Sequence, residues 1–88
     1  MDKFIIVKLN MFSLFNQIFL ADETEMKMIG EYTLSELPAV LGPTARENEV
    51  TSIRVAGNGT FAEDLIHEFN LLEASQYNEN KINIEVIK

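Results

Sequence analysis

Eighty-eight residues suffice for one domain with one shared core, and 47% hydrophobic residues with six phenylalanines supply that core, which argues against a disordered chain. No cysteine is present, so a disulfide-stapled scaffold and a thiolate zinc site are excluded and a reducing cytoplasm is the expected compartment. The net charge of −7 repels phosphate backbones, so the expected partner is another protein, a basic nucleic-acid-handling one for instance, rather than nucleic acid itself.

The first third reads as strands. Phe4 to Leu9 is apolar at nearly every position, the pattern of a central strand covered on both faces. The apolar run from Phe4 to Val7 is too short for a signal segment or a membrane span, so a soluble chain is expected. Leu14 to Leu20 is rich in β-formers, and Asp22-Glu23-Thr24-Glu25 is a polar break before a third strand, Met26 to Tyr32. Short links make these three an antiparallel meander.

A helix then opens at Thr33, where Thr33-x-x-Glu36 has capping-box spacing, or at Ser35, which would bring Pro38 into the first turn. Leu34, Leu37, Val40 and Leu41 would share its buried face, and Gly42-Pro43 should end or kink it, leaving 44–49 as a loop or a second short helical turn. Thr51 to Ala56 is a short strand, followed by the turn Gly57-Asn58-Gly59 and a second capping box, Thr60-x-x-Glu63. The helix after it carries Phe61, Leu65, Phe69 and Leu72 on one face, widened by Ala62 and Ile66, and runs out near Ser75-Gln76-Tyr77. Asn78-Glu79-Asn80 turns into Ile82 to Val86, an alternating strand with one wet face.

The order strand, strand, strand, helix, strand, helix, strand makes a single α/β domain over residues 1–88 with a mixed five-stranded sheet, whose last two strands run parallel through right-handed crossovers. That order resembles the core of the ribonuclease-H-like fold, shared by nucleases and by the halves of actin-like and sugar-kinase-like ATPases. In such nucleases, acids on the first strand, the first helix and the end of the fourth strand hold two divalent metals. This chain has Lys8 and Asn10 at the first position and Gly57-Asn58 at the last, with only Glu36 in a comparable place. The resemblance therefore implies the fold without the metals, a cofactor or an enzymatic activity.

Three groups of residues remain as candidate sites. Gly57, Asn58, Gly59 and Thr60 resemble the Gly-rich turn of actin-like ATPases, and a helix N-terminus there could cradle a nucleotide or phosphate. No Lys or Arg follows, and glycines also serve a tight positive-φ turn and close strand–helix packing. Glu63, Asp64, His67 and Glu68, extended by Glu73, form an acidic face that could imitate a phosphate backbone, as small phage-encoded inhibitors do. His67 with two nearby acids is a poor cation site, and no serine lies in a nucleophile context. Met11 and Phe12, with Leu14 beside them, are large apolar residues where a hairpin turn should be polar, which marks a partner patch or a homodimer contact through the meander. The reading that joins these features is a non-enzymatic interaction module, a small phage-type modulator or inhibitor of a larger protein; the alternative is a small regulatory domain using the Gly57–Thr60 turn.

Overall fold

The computed structural model describes residues 2–57, 59–77 and 82–87. The seven elements follow the expected order: strand β1 (Phe4–Lys8), β2 (Asn16–Ala21), β3 (Met26–Tyr32), helix α1 (Leu37–Glu47), β4 (Ser52–Ala56), α2 (Gly59–Tyr77) and β5 (Asn83–Val86). They form an α/β fold with one mixed sheet in the order β3-β2-β1-β4-β5. β1 pairs antiparallel with β2 and β2 with β3, while β1 and β4, and β4 and β5, pair in parallel. The turn expected at 78–80 lies outside the described residues.

β1 is central, as its apolar pattern implies, but it is not covered on both faces. β3, β4 and β5 run the same way, and both helical crossovers proceed in the same direction across the sheet. Right-handed connections of that kind place both helices on one side. The core confirms it: Ile5, Val7, Ile18, Ile53, Val55 and Ile84 point to that side and meet Leu37, Leu41 and Ala45 of α1 with Ala62, Leu65 and Phe69 of α2. The alternate strand residues Phe4, Ile6 and Phe19 stand on the opposite face, only partly buried.

Several expectations about the helices need correction. α1 begins at Leu37, after a turn in which the Thr33 carbonyl accepts from Glu36 N–H and Leu37 N–H, so Leu34 lies outside the helix and is exposed. Glu36 does reach back to the Thr33 N–H at 2.9 Å, but the Thr33 hydroxyl donates to the same carboxylate oxygen instead of capping the helix. Gly42-Pro43 neither ends nor divides α1, which continues to Glu47 and includes the segment read as a loop. Pro43 removes only the bond to the Ala39 carbonyl, and both residues lie on the exposed side of the helix, where water can serve that carbonyl.

α1 stops in a Schellman arrangement, with Val50 N–H donating to the Ala45 carbonyl at 2.9 Å and Glu49 N–H to the Arg46 carbonyl at 3.2 Å. Glu49 takes the left-handed conformation this demands, at φ 58°, in a place where glycine is usual. Val50 is buried as the hydrophobic follower.

α2 begins at Gly59, one residue before the expected capping threonine, so Thr60 sits inside the first turn. Its buried stripe is Ala62, Leu65, Phe69 and Glu73, with Ile66 and Leu72 half-buried; Phe61 is exposed. Glu73 thus leaves the acidic face to which its charge assigned it. It is 3% exposed and pairs with Arg46 of α1 at 2.7 Å, tying the two helices together. Gly42 makes room for that pair, since a Cβ there would lie 2.6 Å from the Glu73 carboxylate.

Candidate functional site: an apolar groove at one end of the sheet

The groove forms where β1 and β4 finish. Leu9 N–H donates to the Ala56 carbonyl at 2.9 Å, holding the two strands together one residue beyond β1. Gly57 follows, and a Cβ there would lie 2.6 Å from the Leu9 Cβ. Close packing against Leu9 is therefore what Gly57 serves. A positive-φ turn does not explain it, because no described glycine has positive φ.

From Leu9 the chain enters the β1–β2 loop, whose shape is built by three short polar side chains. The buried Asn16 accepts from the Asn10 N–H at 2.9 Å and donates to the Tyr32 carbonyl at 3.2 Å, fixing the loop base to β3. Asn10 accepts in turn from the Phe12 N–H at 3.0 Å, and Ser13 from the Phe15 N–H at 3.2 Å. These are turns closed by side chains that imitate the backbone. They turn the apolar residues outward: Met11 is 60% exposed, Leu14 80% and Phe12 99%.

A groove of about 400 Å³ opens between this loop, the Thr33–Ser35 turn and the start of α2, with Leu9, Met11, Leu14, Leu34 and Phe61 as its apolar lining. Among the described residues, no lysine or arginine lines it. Phe61 joins it to the helix surface, because Phe61, Asp64 and Glu68 stand at i, i+3 and i+7 and share one face of α2. Glu63, Asp64, His67 and Glu68 are all exposed, and the stripe ends at the exposed Leu71. Among the described residues, no group of three His, Cys, Asp or Glu side chains could hold a metal ion.

The structure therefore brings parts of two of the three candidate groups together: Met11 lines the groove, and Phe12 follows it in the chain at the exposed loop tip. Asp64 and Glu68 share the face of α2 that starts at Phe61, whereas Glu63 and His67 stand about 200° and about 240° round the helix from Phe61. Gly57, Gly59 and Thr60 lie beside the groove, while Asn58 falls outside the described residues. Residues that build the site escaped the sequence reading. Asn10, Ser13 and Asn16 carry it, and their signal was the N-x-F and S-x-F spacing of side-chain-closed turns. Glu73 could have been found as an acid four residues beyond Phe69, in phase with the apolar stripe.

Among the described residues, two carboxylates are held in their charged form by turns. The Thr33 backbone N–H and then its hydroxyl hold Glu36 below the usual carboxylate range. Asp22 is lowered in the same way by the Thr24 and Glu25 backbone N–H groups and the Thr24 hydroxyl, with a further contribution from Lys3.

No protein-family model matches the chain, and no curated protein matches it. Among solved structures it is similar to the crystal structure of Archaeoglobus fulgidus Pelota, with a TM-score of 0.60 at 17% identity. The match covers 98% of this chain and 26% of that one, so the chain spans about a quarter of that protein's length. At such identity the likeness concerns the fold alone. No helix among the described residues is long and apolar enough to cross a membrane.

Proposed function

We propose that the chain is a non-enzymatic protein-interaction module, a small phage-type modulator of a larger protein, which seats an apolar segment of its partner in the Leu9–Phe61 groove. The observation that carries this reading is Phe12, 99% exposed at the tip of a loop whose backbone is tied down by Asn10, Ser13 and Asn16. A loop tip selected only for solubility would be polar. Burying Met11, Phe12 and Leu14 on a partner is worth up to roughly 1.5–3 kcal/mol each, before the cost of association. Asp64 and Glu68, continuing from Phe61 along one face, select a partner with basic residues flanking its apolar anchor.

The strand order β3-β2-β1-β4-β5 supports the ribonuclease-H-like resemblance. Residues at the positions where nucleases of that fold carry acids support a non-enzymatic role: Lys8 ends β1, Gly57 follows β4, and Glu36 is engaged with Thr33. The phosphate alternative has less in its favour, since no cation among the described residues lines the groove beside Gly57 and Leu9 packs against that glycine.

Quantitative affinity capture tests the proposal, comparing wild type with Phe12→Ser and with the triple variant Glu63→Lys, Asp64→Lys, Glu68→Lys. Wild type should retain a discrete prey that both variants lose while keeping the wild-type melting temperature. Equal recovery by all three would refute the proposal. A thermal shift with any nucleotide or with inorganic phosphate would instead favour the alternative, a ligand at 100 times its dissociation constant adding about 2.7 kcal/mol.

A further inference from the structure

No helix among the described residues lies on the sheet face opposite α1 and α2, where Ala21 is covered by its neighbours but Phe4, Ile6 and Phe19 are only partly buried. The strand registers lay the residues of this face out in rows. One row is Met28, Phe19, Ile6, Arg54 and Glu85 across β3-β2-β1-β4-β5; before it come Met26, Ala21 and Phe4, and after it Glu31, Gln17, Lys8 and Ala56. The centre is apolar. Met26 and Met28 stay 47% and 45% exposed, while Arg54 lies over the Phe4 ring at 3.9 Å and Lys8 over the Phe19 ring at 5.1 Å.

Glu31 stands on this face because of an irregularity. The β2–β3 register shifts between Ile18 and Phe19, so that Gly30 pairs with Ile18, Met28 with Phe19, and Ile29 is the extra residue. Ile29 packs on the core and Glu31 comes to the same face as Met26 and Met28. In a regular strand Glu31 would share the face of Ile29. The bulge re-aims one side chain.

We propose that this face receives a second copy of the chain, in a two-fold dimer that packs sheet on sheet. Closed two-fold dimers are the commonest assemblies and need a self-complementary patch, and the rows supply one. A two-fold axis along the strands, midway between β1 and β2, lays β1 over the partner's β2 and β3 over its β4, within the aligned geometry of stacked sheets. Ile6 then meets the partner's Phe19 and Met28 the partner's Arg54, while Ala21 is already covered within its own chain. Glu31 falls opposite the partner's Ala56, beside the partner's Lys8 on the next strand and the partner's Arg54 two residues back. Each dimer thus places two carboxylates between two pairs of cations. Five strands about 4.8 Å apart make a face roughly 20 Å across, small enough that association should be weak and concentration-dependent.

Sedimentation equilibrium on the full chain, from micromolar to millimolar, tests this. Wild type should pass from monomer to dimer, and Glu31→Lys, or Lys8→Glu with Arg54→Glu, should each weaken the dimer about tenfold or more, as several repulsive contacts replace attractive ones. Mixed in equal amounts, the two variants should form a heterodimer, since one face is then wholly cationic at these positions and the other wholly anionic. All three positions are exposed, so folding should be unaffected, and circular dichroism checks it. A chain monomeric throughout the range, as expected if a helix of another protein covers this face, overturns the proposal. So does a dimer indifferent to the charge changes, or one abolished by Phe12→Ser.

Discussion

The two faces of the sheet are made by alternate residues of the same strands, yet they carry different duties. Ile5, Val7, Ile53 and Val55 are fully buried under two helices, while Phe4, Ile6 and Phe19, one position away, are only partly covered and have cations over two of the rings. The difference arises from connection handedness rather than hydrophobicity, since both crossovers place their helices on the same side. Apolar character in this chain therefore divides into residues that hold the fold and residues available for association.

Removing the Phe69 side chain sets the largest contrast. Phe69→Ala should cost about 3–5 kcal/mol in urea unfolding because its site is fully enclosed, whereas Phe19→Ala on the open face should cost roughly 1 kcal/mol or less. Equal costs would erase the distinction between the faces. A smaller effect probes the polar tie on the helical side. Arg46→Ala leaves the buried Glu73 carboxylate without its ion-pair partner and should cost about 1–2 kcal/mol, less than for a fully buried pair because the Arg46 side chain is 37% exposed. Glu49→Gly should act in the opposite direction, stabilising by up to about 1 kcal/mol in thermal or urea unfolding by relieving the left-handed conformation at the end of α1.

The smallest effects belong to the exposed turns. Asp22 and Glu36 have folded-state pKa values below their ordinary ones, so their contribution is present above the unfolded pKa and is lost as pH falls through the folded pKa. Asp22→Asn and Glu36→Gln should each flatten the stability–pH curve below about pH 5, with little change in that curve's shape near neutrality.

The strands and their order were legible in the sequence because strand periodicity and connection handedness are local or general constraints. The helix limits were less so. Pro43 reads as a breaker, yet it costs one hydrogen bond on the solvent side, and Gly42 behind it is needed for Glu73. Phe61 fits the α2 stripe by spacing but falls at the groove, because the helix begins at Gly59 and turns Ala62 inward. Of the candidate site, Met11 and Phe12 stood out as apolar residues in a turn. That Met11 shares a groove with Phe61 depends on the long-range packing that sets the β1–β2 loop beside the start of α2, which no local pattern encodes.

The central claim, that the hydrogen-bonded apolar loop between β1 and β2 is a docking surface, is tested most directly by photo-cross-linking in the organism that encodes the chain, with benzoylphenylalanine placed at position 12 and, as a control, at position 47 on the exposed end of α1. Position 12 should give one discrete adduct that position 47 lacks and that the Glu63→Lys, Asp64→Lys, Glu68→Lys changes diminish. The absence of any adduct at position 12, or the same adducts from both positions, would contradict the account.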